Sequence, residues 1–147
     1  MSFKPIRQFL TDRLLEIDPE FEVYDASFVN DSVGDNDFDK RFHIFYGPIT
    51  ATVANQNTTQ DTASATVTLF FRGYRDSSES LDEAMDIANR YRIACMRRTN
   101  LASQTHIKNV VCNNIDAQPM PGNDQQFKVV LGFSISMIYG LGVDLDC

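Results

Sequence analysis

The sequence predicts an α+β domain, in which a mainly antiparallel β-sheet of about four to five strands carries two helices packed on one face. Two observations predict this class. Apolar residues alternate without interruption over residues 127–139, which is the period of a half-buried strand. Residues 6–17 and 81–98 instead place apolar residues at helical spacing. At 147 residues, the chain (1–147) has the usual size of a single domain.

The first helix is predicted between Pro5 and the Asp18-Pro19 pair, since proline is tolerated in a first helical turn and stops a helix further along. Residues 21–29 mix aromatic, β-branched and acidic side chains, which suggests a strand or an extended segment. Residues 31–37 have the composition of a loop.

The first predicted strand pair surrounds a polar tract. Apolar residues alternate over residues 42–46, with a bend expected at Gly47-Pro48, and again over residues 66–72. Between the strands lie residues 55–64, whose only apolar member is Ala63. We therefore expect this tract to form a loop that is mobile in the free monomer.

The main helix is predicted at residues 81–98, because Ser80 and Glu83 have the spacing of a capping box. Its buried stripe should include Ala84, Ala88 and Tyr91. Acidic residues at its start and arginines at its end complement the helix dipole, so this charge placement requires no ligand.

The last strand pair is predicted at residues 107–117 and 127–139, with turn signals between them. The thirteen residues 127–139 would span about 43 Å at about 3.3 Å each, roughly twice the usual strand length. We expect the partner hairpin and the polar tract to project as arms that reach a neighbouring subunit. The alternative is a break at Gly132 into two ordinary strands.

The net charge of −7 argues against stable binding of nucleic acid, since it repels a phosphate backbone. A nucleic-acid patch formed by the arginines is therefore a weaker interpretation than ion pairs and dipole complementarity. No apolar run approaches the roughly 20 residues that a membrane span needs, and Met1 is not followed by a signal-peptide core. We expect synthesis in the cytoplasm and no membrane partner.

The residues that could support chemistry do not form a recognisable site. His43 and His106 lack a second ligand at metal-binding spacing. The acidic residues 35–39 begin like a calcium loop, but Lys40 replaces the turn glycine and Tyr46 the bidentate glutamate. We therefore expect no metal ligand.

The cysteines also lack a motif, since Cys95, Cys112 and Cys147 show no CxxC spacing and are expected to be structural. No glycine-rich phosphate loop or nucleophile elbow occurs. We expect no catalytic residue, no cofactor and no enzymatic activity.

Five segments, residues 5–17, 42–49, 65–76, 81–98 and 127–139, follow one another in a layout that resembles the tail terminator proteins of long-tailed bacteriophages. The resemblance implies a virion protein of the tail or neck, in which a ring of usually six subunits caps the tail tube, stops its polymerisation and joins it to the head connector. The implied partners are further copies of the chain, the tail-tube protein and a connector or neck protein. DNA would only pass through the lumen.

We expect the polar tract, together with the sheet edge or residues 81–98, to contribute to assembly. The expected subunit or tail-tube interface comprises Asn55, Gln56, Asn57, Thr58, Thr59, Gln60, Arg72, Arg75, Arg97 and Arg98. Two alternatives remain open. One is another neck or head-completion protein, and the other is a small ligand-binding or hydrolytic α+β domain that uses His43 or the acidic loop.

Overall fold

The computed structural model describes residues 4–23, 40–54, 58–73, 78–97, 107–120 and 123–140, and it confirms the α+β class. Neither helix in these ranges is long and apolar enough to cross a membrane. The elements are α1 (Lys4–Ile17), β1 (Glu22–Val23), β2 (Arg41–Ala54), β3 (Thr58–Arg72), α2 (Ser78–Met96), β4 (Ile107–Met120) and β5 (Asn123–Gly140).

The five strands form one sheet in the order β1-β2-β3-β5-β4. The pairs β2-β3, β3-β5 and β5-β4 are antiparallel, whereas β1 is parallel to β2. The prediction of a mainly antiparallel sheet is therefore confirmed, with the two-residue β1 as the parallel addition.

Both helices pack on the same face of the sheet, which we call the helix face. The buried Tyr91 of α2 donates a hydrogen bond from its hydroxyl to the Leu10 carbonyl of α1 at 2.9 Å. Its ring meets Phe133 of β5 edge-on, with centroids 5.8 Å apart. Arg7 Nε of α1 donates to the Tyr46 hydroxyl of β2 at 3.1 Å. These contacts place α1 over β2 and α2 over β5.

The core lies between the helices and this face, and the alternation of β5 supplies much of it. Six side chains of β5 face the helices, each no more than 1 % exposed: Phe127, Val129, Leu131, Phe133, Ile135 and Met137. Alternate residues of β3 lie beside them on the same face, since Val67 pairs with Leu131 and Leu69 with Val129. Removing these apolar side chains from water is the main favourable contribution to the free energy of folding.

Gly132 does not divide the last strand, so the alternative of two shorter strands is wrong. β5 runs for 18 residues and pairs with β3 on both sides of Gly132. The irregularity lies in β4, whose register shifts between Cys112 and Asn114 opposite this glycine. A Cβ at Gly132 would collide with Asn114 Oδ1. The glycine thus makes room for the bulge of its neighbour.

The predicted loop at residues 55–64 is wrong for residues 58–64, which belong to β3. Thr59 pairs with both Ala54 and Tyr139, and Ala63 with both Ile49 and Ile135. Partners on both sides allow polar, β-branched residues to form a strand without a large apolar side chain of their own. Residues 55–57 of the tract lie outside the described residues.

Lys40, directly before β2, forms ion pairs with two acidic residues that follow the end of α1. Lys40 Nζ forms ion pairs with Asp18 Oδ2 at 2.8 Å and with Glu20 Oε2 at 3.0 Å. The Lys40 carbonyl accepts a hydrogen bond from Glu22 N at 3.0 Å. Lys40 has a left-handed backbone with φ of 57°, an uncommon conformation for a residue other than glycine. Residues 24–39, including the predicted loop at 31–37, lie outside the described residues.

Candidate interaction surface

The two edges of the sheet are poor templates for adding a further strand. β4 forms one edge, and its register shifts at three places, one of them beside Pro119. On the other side, β1 pairs only with Arg41 and Phe42 of β2, and the rest of β2 carries two register shifts and Pro48. Bulges and prolines on edge strands hinder strand addition. This irregularity weighs against the sheet edge as the assembly surface.

One end of the sheet extends beyond β4. β4 begins opposite Met137, whereas β5 continues to Gly140, which pairs with Thr58 of β3. β3 in turn pairs with β2 as far as Ala54. We call this part, which comprises residues 53–54, 58–60 and 138–140, the three-stranded end.

The expected interface residues do not form a single patch. Thr58, Thr59 and Gln60 lie in the three-stranded end, whereas Arg72 lies at the opposite end of β3. The 14 residue steps between Thr58 and Arg72 span about 46 Å at about 3.3 Å per residue. Arg97 directly follows α2 and is exposed. The others, Asn55, Gln56, Asn57, Arg75 and Arg98, lie outside the described residues.

A groove between α2 and β4 is the feature that sequence reasoning missed. Its volume is about 390 Å³. It is lined by Met85, Asn89, Arg92, Cys112, Asn113, Asn114 and Ile115. The only sequence signal was the i, i+4, i+7 spacing of the three helical residues, which places them on one stripe beside the buried one.

Arg92 lines this groove, and its Nε has no hydrogen-bond acceptor among the described residues. Its Nη2 donates to Asn89 Oδ1 at 2.7 Å. Its Nε is buried, and the residues that the structure describes offer it no hydrogen-bond acceptor. A buried donor without an acceptor costs free energy. The guanidinium as a whole remains a cation that favours carboxylate or carbonyl oxygens in the groove.

Apolar side chains are exposed on the same two elements that form the groove. Ile93 and Met96 of α2 are 44 % and 38 % exposed, and Val111 of β4 is 38 % exposed. Val111 pairs with Ser134 and therefore lies on the face away from the helices, whereas Ile93 and Met96 lie on α2 itself. Neighbouring exposed apolar residues such as these two are typical of surfaces that contact another protein.

The exposed charges of α2 are separated along its length. Glu79, Asp82 and Glu83 are exposed in its first two turns and form no ion pair within the described part of the chain. Asp86 and Arg90 pair with each other at 3.2 Å in the middle of the helix. Arg97 and Lys108, at the start of β4, are exposed cations with no acidic partner in the same ranges.

The thiols are held in their protonated form. Burial raises the pKa of the Cys95 thiol to about 12, and it also raises the pKa of Cys112. Because the thiolate is the nucleophilic form, neither thiol is activated at neutral pH. Cys147 lies outside the described residues.

Of the remaining candidates for chemistry, His43 lies within the described residues. The His43 ring contacts the Phe45 ring edge-on, with centroids 5.3 Å apart. Within the described ranges, no group of three or more His, Cys, Asp or Glu side chains could hold a metal ion. His106 and the acidic residues 35–39 fall outside those ranges.

No protein-family model and no curated protein matches the chain. Among solved structures, the chain is similar to one from the virion of a native gene transfer agent particle. The two chains are 8 % identical with a TM-score of 0.44, and the match covers 88 % of this chain and 92 % of that chain.

Proposed function

We propose that the chain is a structural virion protein, a tail terminator, which forms a ring on the tail tube, stops its polymerisation and joins it to the head connector. The observation that carries the proposal is the layout in which α1, the long pair β2-β3, α2 and the long pair β4-β5 follow one another, with the two-residue β1 added after α1. This layout is the one on which the resemblance to this family rests. β3 and β5 have 15 and 18 residues, against about 5 or 6 in an ordinary strand.

A ring needs two different contact surfaces on each subunit, since head-to-tail contacts join unlike patches. The groove between α2 and β4 is one such surface, and the three-stranded end, which involves different elements, remains available for the tail tube. The net charge of −7 suits a ring through which DNA passes without being retained. The ring is hexameric in this proposal, and its partners are the tail-tube protein and a connector or neck protein.

In this role the protein requires neither a catalytic residue nor a cofactor. Support comes from the protonated Cys95 and Cys112 thiols and from His43, which packs on an aromatic ring. Binding energy would come instead from apolar and charged surface between subunits.

The proposal is tested by measuring tube length. The tail-tube protein encoded in the same genome is polymerised with and without this chain, and the tubes are examined by electron microscopy. We expect tubes to stop growing and to carry a ring at one end. Tubes of unchanged length with bare ends would contradict the proposal, and a ring that binds only the head connector would indicate another neck protein.

A matched pair of variants locates the tube contact. Thr58→Lys with Thr59→Lys adds charge to the three-stranded end and should abolish termination, because buried unpaired charges oppose association. Thr66→Lys with Thr68→Lys makes the same change in the middle of β3, on the face away from the helices, and should leave termination intact. Circular dichroism of the two double variants checks that each chain remains folded.

A further inference from the structure

The groove between α2 and β4 has the properties of a docking site for protein. It combines apolar walls from Met85 and Ile115 with a cationic group at Arg92. The exposed apolar side chains Ile93 and Met96 lie on α2, which forms one wall of the groove, and the buried Arg92 Nε has no acceptor among the described residues. A partner for this surface must therefore carry carboxylate or carbonyl oxygens beside apolar atoms.

Such a partner exists on the chain itself, at the start of α2. Glu79, Asp82 and Glu83 present three exposed carboxylates there. The helix dipole accounts for acidic residues at a helix start, but their outward charges remain without a cationic partner among the described residues. Arg97, directly after α2, and Lys108, at the start of β4, are likewise exposed and have no acidic partner among the described residues.

Within one copy of the chain, the acidic turns and the cations at the end of α2 cannot meet. α2 has 19 residues and is therefore about 28 Å long, with its acidic turns and its last cations at opposite ends. A second copy can do so, because its acidic turns can approach the groove of the first. Strand addition is the other common way to join sheets, and the bulges and Pro119 of β4 oppose it.

We infer that the first two turns of α2 in one subunit dock against the groove between α2 and β4 in the next subunit. The contact joins two different surfaces, as a closed ring of identical subunits requires. The acidic turns meet Arg92, Arg97 and Lys108 of the neighbour, and Ile93 and Met96 are covered. The inference rests on the proposed ring and names the contact between its subunits.

Charge reversal tests the contact. Asp82→Lys with Glu83→Lys changes the acidic turns, and Arg97→Glu with Lys108→Glu changes the cations at the end of α2 and the start of β4. Each double variant alone should weaken self-association at least about tenfold, measured by sedimentation velocity at low ionic strength. An equimolar mixture of the two variants should restore assembly, because each reversed surface then meets an opposite charge.

Two control variants distinguish loss of this contact from a general effect of charge and from misfolding. Glu16→Lys with Asp116→Lys makes the same charge change as the acidic-turn variant but lies on α1 and β4, and it should assemble like the unmodified chain. Asp82→Asn with Glu83→Gln avoids placing lysines near a helix start, so it reports on the contact if the lysine variant fails to fold.

Two results would overturn the inference, and they are distinguishable. If the unmodified chain forms rings and both reversed variants do so equally well, the ring stands and this contact is wrong. If the unmodified chain stays monomeric both alone and with tail tubes, the proposed function itself fails.

Discussion

The two faces of the sheet differ in composition and burial although they share the same strands. On the helix face, the six β5 side chains from Phe127 to Met137 are almost fully buried. On the opposite face, Thr66, Thr68, Ser134 and Ser136 are half-buried, and Phe45 is 65 % exposed. Phe70 and Gln126 are buried there, at the end of β3 near Arg72.

The difference separates what holds the fold from what is available for assembly. Apolar burial on the helix face makes each large side chain there sensitive to truncation. The hydroxyl-rich opposite face contributes little apolar burial, so its residues can change with small effects on stability. In our account the assembly surfaces, the groove and the three-stranded end, lie at the margins of the helix-covered core.

The largest expected contrast is between two adjacent residues of β5. Leu131→Ala on the helix face should cost about 2–5 kcal/mol of unfolding free energy, because it leaves a cavity beside a fully buried position. Val130→Ala on the opposite face should cost less than about 1 kcal/mol. Urea denaturation of the two variants measures both, and equal losses would refute the assignment of the core to one face.

A smaller effect is expected at the contact between the helices. Tyr91→Phe keeps the buried ring against Phe133 and removes the hydrogen bond to the Leu10 carbonyl. The loss should be about 1 kcal/mol, since one neutral hydrogen bond contributes about this much. Tyr91→Ala is the comparison, and it should cost about 3 kcal/mol or more. Similar losses of unfolding free energy for the two variants would show that the hydroxyl, and not the ring, provides most of the stabilisation at this contact.

The smallest effect is expected at Lys40, which lies beside the sheet and on neither face. Lys40→Met should cost about 1 kcal/mol near neutral pH, because Asp18 and Lys40 are largely shielded from solvent whereas Glu20 is exposed.

This cost should depend on pH in a defined way. Burial opposes ionisation of Asp18, but hydrogen bonds from Lys40 and from Glu20 N outweigh it and hold the pKa of Asp18 below its ordinary 3.8. The contribution of Asp18 is therefore complete above about pH 4 and is lost as the pH falls through its lowered pKa.

At high pH, the stabilisation by the ion pairs of Lys40 is lost because Lys40 itself loses its proton. Its hydrogen bonds to Asp18 and Glu20 raise the pKa of Lys40 above its ordinary 10.5, so its contribution is complete below that value and is lost at higher pH. The difference between the unmodified chain and Lys40→Met should thus be largest between about pH 4 and pH 10. A difference that stays constant below pH 4, measured by denaturation, would contradict this assignment.

Sequence reasoning predicted the structure correctly where the spacing of apolar residues matches the side chains that are buried. The alternation of β5 and the apolar stripes of α1 and α2 appear at the positions that their periods predict. The same reasoning failed at residues 58–64, because their strand is stabilised by partners on both sides and not by their own apolar side chains.

The groove could not be predicted from the sequence either. It depends on the β4 bulge at Cys112 and Asn114, which faces Gly132 on another strand. No periodicity within β4 marks a bulge, and the glycine that accommodates it suggested a strand break instead. Likewise, the alternation of β2 did not show that Phe45 would remain largely exposed.

The central claim, that this chain acts by assembling into a ring, is tested most directly by its mass in solution. Light scattering is recorded for the purified 16.6 kDa chain, alone and after addition of tail tubes. We expect a closed assembly several times the mass of one chain, formed either spontaneously or on the tubes. A chain that remains monomeric in both conditions would contradict the account.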